Sequence, residues 1–384
     1  MAIGIVGAAG QAGTTQFGAV LKRRYLGTIV QQFNSQVWFW GMVQRYEEEG
    51  DGEAIYFPVN TAAGSNTGAR AFGGQLPQPD AEENTQFRID PAFNYGAVSV
   101  ERILMKASKT GLGAFVKHLT FNLDTTVRNV MNQLNRQAWG PAGLAAGGPA
   151  VAGVLAVVRS VGAGPPGTIT VAVNTDADAN NSPGCPGTRW LRRRTVIAVV
   201  TTAGAWRAGP YRVSSRVNGS QVQITTVAGA AADPAAAGVI AGDQIVLANT
   251  DATAIGHTGF DNELTGMNMI VDNGTGVFQN VNRGTFPETR GNVLANGQNN
   301  RPLTQDLFLE GIHLAEENGR GKVDWAACHF SVWRTYANEL IGEVRHAPQR
   351  LRGGVRELTM ADTNTGEIPV YRDKDAPFND MYLM

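Results

Sequence analysis

Between Phe115 and Leu134 the chain reads FVKHLTFNLDTTVRNVMNQL, with Phe115, Leu119, Leu123, Val127, Val130 and Leu134 recurring every three or four residues. Side chains at that spacing share one face of an α-helix. Gly140-Pro141 is a natural stop for it, because proline has no N–H to give and clashes with the preceding turn. The segment before the helix shows no core of its own, and the sequence after it switches to short β-type runs. The helix is therefore expected to be a spine that joins a projecting arm to a compact domain.

At 384 residues the chain is long enough for two or three domains of roughly 100–200 residues each. Hydrophobic residues make up 43%, which is enough for a core, while charged residues reach only 17% against roughly 25% in an average soluble domain. So little charge points to surface that is hidden against partners. The 26 arginines outnumber the six lysines. Arginine is favoured at interfaces for its planar, weakly hydrated fork, and a GC-rich genome raises arginine equally well. Both origins stay open. A net charge of −1 argues against a dedicated nucleic-acid binder. Cys185 and Cys328 form neither a disulfide framework nor a metal spacing. No stretch approaches the roughly 18 apolar residues of a membrane span, and no leader pattern opens the chain. The expectation is a protein made in the cytoplasm, with no membrane partner.

Gly7, Gly10 and Gly13 resemble a dinucleotide-binding turn. Such a turn requires an acidic residue about 20 positions on to hold the ribose hydroxyls, and none occurs before Glu47. A glycine-rich terminal arm accounts for them better. Thr14 to about Gln44 reads as helical, and Trp38-Phe39-Trp40 follows as an aromatic cluster, of the kind usually buried in a core or under a neighbouring subunit. Lys22-Arg23-Arg24 reads as a solvated helix face.

Residues 51–105 read as a two-stranded arm, with Ala54–Val59 and Tyr95–Leu104 as its strands. Between them lie about 35 residues rich in Gly, Asn, Pro and Gln, an uncommon length for an irregular connection inside a compact domain. After an Ala/Gly linker at residues 142–153 come six β-type runs: Val154–Val158, Thr168–Val173, Thr195–Thr201, Tyr211–Val213, Val222–Val227 and Asp243–Leu247. Turn clusters at Asn174–Gly187 and Asn218-Gly219 separate them, so a small antiparallel β module is expected. In it Arg189, Arg192, Arg193 and Arg194 flank Trp190. Base stacking with phosphate contacts is one use for such a group; a charged strand edge or intersubunit ion pairing is the plainer one. Residues 255–301 are loop-rich. Thr304–Asn318 predicts a helix capped by Thr304 and stopped by Gly319. Val323–Phe330 predicts a buried strand, Ser331–Leu340 a helix capped by Ser331, and the ending two short strands around a turn.

No reactive constellation emerges. His118, His257, His313, His329 and His346 are scattered without ligand spacing, and Cys328 and His329, as neighbours on a strand, point to opposite faces. Asp373 and Asp375 fall in a terminal turn, where aspartate is common for turn reasons. No catalytic, cofactor-binding or metal residue is assigned, and no enzymatic activity is expected.

The order of elements resembles the major capsid protein of tailed bacteriophages with the Hong Kong 97-type fold. The closing phrase carries the local likeness: Gly366-Glu-Ile-Pro-Val-Tyr371, then Asp375-Ala-Pro377 and Met381-Tyr-Leu383. The resemblance implies an α+β fold with an N-terminal arm and helix (1–50), an extended β-hairpin loop (51–105), a peripheral domain with the spine helix (106–153), a β-rich inserted module (154–250) and an axial domain returning to the peripheral one (251–384). It also implies a structural subunit that self-assembles as hexamers and pentamers into an icosahedral shell. That shell encloses double-stranded DNA in the virion and is assembled in the host bacterial cytoplasm. The implied partners are further copies of the chain, a separate scaffold, a portal and decoration proteins, with only weak contact to packaged DNA. Two features depart from parts of the family. No lysine lies between Lys22 and Lys106, so crosslinking through an extended-loop lysine is not expected. The arm also begins at Met1, which implies a separate scaffold or none. The alternatives are a nucleotide-binding enzyme using Gly7, Gly10 and Gly13, and a tail or decoration protein.

Overall fold

The computed structural model describes Phe39 and Met42 together with residues 54–62, 68–69, 71–72, 74–75, 81–98, 118–140, 151–162, 167–171, 188–294, 301–319, 321–343, 358–362, 366–377 and 380–384. Apart from Phe39 and Met42, the expected helix over 14–44 lies outside them, as do the three N-terminal glycines.

Strands β1 (Ile55–Ala62) and β2 (Glu83–Ile89) form an antiparallel hairpin, running from Ile55 opposite Ile89 to Ala62 opposite Glu83. The strand returning along β1 is thus Glu83–Ile89 and not the expected Tyr95–Leu104, of which residues 99–104 lie outside the described residues. Residues 91–98 take no strand pairing but lie along helix α1 (His118–Trp139). A Cβ at Gly96 would come within 3.0 Å of the Thr126 and Val130 methyls, and the Asn94 and Gln137 amides exchange bonds of 3.0 and 2.9 Å. Pro91, with no N–H, follows β2 after Asp90. The apolar alternation of 95–104 suggested a strand, but Tyr95–Val98 instead serve as a strap on the spine.

The expected β module is present run for run. Strands β3 (Val154–Val161), β4 (Thr168–Val171), β5 (Val196–Val200), β6 (Trp206–Arg216), β7 (Gln221–Thr226) and β8 (Gln244–Leu247) close into an antiparallel barrel of order β3-β4-β7-β6-β5-β8. Closure leaves no free strand edge. Ile169, Val171, Val213, Val222 and Ile224 alternate inward with polar neighbours between them. Strand β5 is buried on both sides. Ile197 and Val199 face the barrel core, while Ala198 and Val200 pack with Trp206, Ile255 and Phe260. The Asn218-Gly219 turn joins β6 to β7, with the Asn218 side-chain oxygen accepting from the Ser220 N–H at 2.9 Å.

Beyond the barrel come a one-turn helix α2 (Met267–Ile270) and a small hairpin of β9 (Val277–Phe278) and β10 (Val281–Asn282). Arg283 organises this loop-rich stretch. Its guanidinium lies 4.0 Å over the Phe278 ring and donates to the carbonyls of Met269, Ile270 and Asp272 at 2.8–3.1 Å. The arm rests on the same place, through Phe87 edge-on to Phe278 and an Arg88 N–H to Gln279 carbonyl bond of 2.9 Å.

Helix α3 (Gln305–Gly319) is capped as expected: the Thr304 hydroxyl accepts from the Leu307 N–H at 3.2 Å. Strand β11 (Ala326–His329) and helix α4 (Phe330–Glu343) follow. The cap expected from Ser331 comes from His329 instead, whose Nδ1 accepts from the Ser331 N–H at 3.3 Å. Strands β12 (Leu358–Asp362), β13 (Gly366–Asp373) and β14 (Met381–Leu383) complete a four-stranded sheet of order β12-β13-β11-β14. The two terminal strands exist as expected, but β11 lies between them, parallel to β13 and antiparallel to β14. Phe308, Ile312, Tyr336, Ile368 and Val370 form the core between this sheet and the two helices. The chain is a mixed α and β protein.

Candidate assembly surface and helix junction

Helix α1 is where the sequence reading most requires correction. Its apolar stripe was expected to be the packed face, yet Leu123 and Val127 are exposed and Val130 and Leu134 only half-buried. The buried part is its C-terminal end, which carries Asn132, Asn135, Arg136, Gln137, Ala138 and Trp139. The helix is held at its C-terminal end largely by polar contacts, and among its described side chains Leu123, Val127 and Met131 are exposed.

That buried end is a junction. Asn135 donates to both oxygens of Asp373 at 3.2 Å and to Asp375 at 2.8 Å, across 238 and 240 residues of sequence. Asp373 also accepts the Asp375 N–H at 2.8 Å, and Lys374 donates to Asn132 at 2.9 Å. Asp373 and Asp375 are therefore more than turn formers: both are buried, and they fasten the terminal strands to the spine. Burial raises the Asp373 carboxyl above its usual range and the neighbouring Asp375 carboxylate adds to this, while the Asp375 N–H and the Asn135 amide pull it back.

Arg136 pairs with Glu263 at 2.5 Å, both side chains nearly free of solvent, and donates to Gln133 at 2.9 Å. Its guanidinium also lies 5.8 Å from the Trp190 ring of the barrel. Arg189 stacks closer on that ring, at 3.9 Å, and donates to the Ala376 carbonyl at 2.8 Å. Trp190 thus fills the joint between barrel and spine, which sets aside the base-stacking use. Arg192, Arg193 and Arg194 are exposed on the adjoining turn.

The aromatic expectation holds for the residue that is described. Phe39 is buried, stacked on Trp139 at 4.0 Å and edge-on to Trp325, with Tyr382 on the other side of Trp139 at 5.4 Å. Trp38 and Trp40 lie outside the described residues. At the entry to this region, α1 and α2 meet so closely that a Cβ on Gly266 would stand 2.1 Å from the Gly140 nitrogen. Gly140 itself has φ +99°, a conformation glycine adopts freely.

Cys328 is buried, and burial pushes its thiol up to about 12, so it stays protonated. Cys185 and His346 lie outside the described residues, and the side chain of His118 is not described. His257 and His313 are exposed. His329 is held down to about 4, first by burial and then by the charge of Arg189. Its Nδ1 accepts from Ser331, a role only the neutral ring can fill. Because the folded pKa is depressed, the unfolded chain takes up the proton first as pH falls. Stability present above pH about 6.5 is therefore lost on the way down to pH about 4, by up to about 3 kcal/mol. The raised Asp373 acts in the opposite sense, its penalty being relieved at low pH. Urea melts at both ends of this window should show His329→Gln losing less stability than the parent; equal losses would show that His329 does not titrate in that range.

Among the described residues, no three of His, Cys, Asp and Glu are grouped as a metal ion requires, and no helix is long and apolar enough to cross a membrane. What these residues do present is apolar surface. On the arm Ile55, Tyr56, Phe57 and Ile89 are exposed, and on the strap Phe93 and Tyr95, Tyr95 to 87%. On α1, Leu123, Val127 and Met131 form an exposed stripe, with Val127 at 60%.

No family model matches the chain, and no curated protein matches it. Among solved structures it is similar to the capsid asymmetric unit of cyanophage A-1(L), at 12% identity and a TM-score of 0.44, over 86% of this chain and 66% of that one. A likeness of that size carries no argument for function.

Proposed function

We propose that this chain is the building block of a bacteriophage shell with the Hong Kong 97-type plan, and that its role is structural rather than catalytic. The observation that carries this reading is the unpartnered apolar surface of the hairpin arm and of helix α1. A two-stranded hairpin in water is marginal by itself. This one bares Tyr56 and Phe57 with more than half of each exposed, and helix α1 bares Leu123, Val127 and Met131. Exposed large apolar side chains in such number point to interaction faces. The helix junction supports the same reading, since its buried polar contacts tie arm, barrel and terminal sheet into a unit from which the arm extends.

In this reading hexamers and pentamers form when each arm covers a neighbouring copy, and many weak contacts sum through multivalency into an icosahedral shell. The near-neutral chain touches packaged DNA only weakly. Scaffold, portal and decoration proteins complete the virion, assembly takes place in the host bacterial cytoplasm, and no cofactor takes part. The inserted module is the barrel.

Size exclusion and negative-stain microscopy of the purified full chain test the reading. Rings or shells are the expected result. A clean monomer whose melting temperature rises with NAD would overturn it in favour of nucleotide binding at Gly7, Gly10 and Gly13.

A further inference from the structure

The charges of this chain are segregated. Residues 151–250 hold eight arginines, no lysine, no glutamate and four aspartates, a balance of +4 within a chain of −1. Residues 51–98 hold the reverse: Asp51, Glu53, Asp80, Glu82, Glu83 and Asp90 against Arg70 and Arg88, a balance of −4. On the barrel, the exposed arginines sit on a turn that backbone bonds hold in place. The Arg194 N–H donates to the Val213 carbonyl at 2.8 Å, and the Thr195 N–H to that of Arg192 at 3.0 Å. Arg212, on the strand opposite Val196, extends the basic strip beside them. On the arm, Glu82 and Glu83 are exposed at the start of β2, and Tyr56 and Phe57 stand bare on β1.

We infer that the basic turn Arg192–Arg194 of one copy is the docking site for the acidic, aromatic hairpin arm of another. This rests on the assembly reading above and names the surface that receives the arm's charge. Carboxylates and aromatic faces are the two groups a guanidinium binds best, by bidentate pairing and by stacking. This chain already uses the stacking mode at Arg189 on Trp190, Arg283 on Phe278 and Arg372 on Trp333. Within its own chain the arm is engaged elsewhere, against β9 and β10 through Phe87 and Arg88, and Glu82, Glu83 and Asp90 remain exposed. A nucleic acid fits the turn less well, since the chain outside residues 151–250 carries a balance of −5. A complementary pair of this kind steers encounter and fixes register.

Charge reversal of the full chain tests the inference, with association followed by sedimentation and folding by thermal melting. Arg193→Glu with Arg194→Glu, and separately Glu82→Arg with Glu83→Arg, should each weaken association by roughly tenfold or more while the melt is unchanged. The chain carrying all four reversals should regain it. Raising salt should weaken the parent and the fourfold variant alike, because exposed charges are screened. Parent protein that assembles, with reversed variants that assemble equally well, would sink this inference and leave the shell reading standing. Parent protein that stays monomeric would sink both. Reversals of the turn that spare association but abolish retention of duplex DNA would assign the turn to nucleic acid and overturn the proposal.

Discussion

Replacing Arg136 with methionine is expected to cost about 3–5 kcal/mol of folding stability, the usual result of removing one partner from a buried ion pair. The loss comes less from the missing attraction than from Glu263, left as a buried carboxylate with its cation gone. Its side chain is only 7% exposed, so water cannot take over the role of the guanidinium. The substitution also removes the contact of Arg136 with Gln133 and with the Trp190 ring, loosening the seat of the barrel. Replacing both partners, Arg136→Met with Glu263→Leu, should recover most of the loss, because well-packed apolar side chains often substitute for a buried pair. Urea denaturation of the three chains measures this. A single variant that loses under about 1 kcal/mol would place the pair among weak, solvent-screened ones.

Shortening the arm is expected to leave the fold and remove assembly. The strand register shows how to cut. Val59 faces Thr85 and Asn60 faces Asn84, so residues 60–84 can be replaced by Asn-Gly, which turns two antiparallel strands within two residues and keeps Val59 opposite Thr85. The root of the hairpin is then kept, with Phe87 on Phe278 and Arg88 on Gln279. Circular dichroism should show a cooperative melt close to that of the parent, while sedimentation should find monomer where the parent forms larger species. A global loss of structure would show that the arm is part of the fold, and assembly undiminished would show that other surfaces carry it.

The reading of the chain succeeded where the signal was local. Six β runs, the Thr304 cap, the stop at Gly140 and the terminal strand pair were all readable from periodicity and turn residues. Each depends on backbone preferences within a few positions. The misplacement of the arm's return strand has a physical reason. Tyr95–Leu104 has the stronger strand character in sequence and Glu83–Ile89 the weaker, yet β1 pairs with the second, while Asn94 and Gly96 lie against the helix.

The junction was hidden for a different reason. Asn132, Asn135, Arg136 and Gln137 carry no sign of burial in the sequence, because polar residues at a helix end are normally exposed. Their burial depends on partners at Asn94, Glu263, Asp373 and Lys374, and nothing in the local pattern announces partners so far away in sequence. Asp373 and Asp375 suffered the same error, taken for turn residues when they accept from the spine.

The sequence by itself determined that a helix, apolar on one side, would run through residues 115–134 and stop at Gly140, since both follow from spacing along one chain; the helix observed is His118–Trp139. Only the tertiary structure decided which part of that helix is buried. Burial is a matter of which distant groups arrive, and here polar partners claimed the end while Leu123, Val127 and Met131 were left exposed.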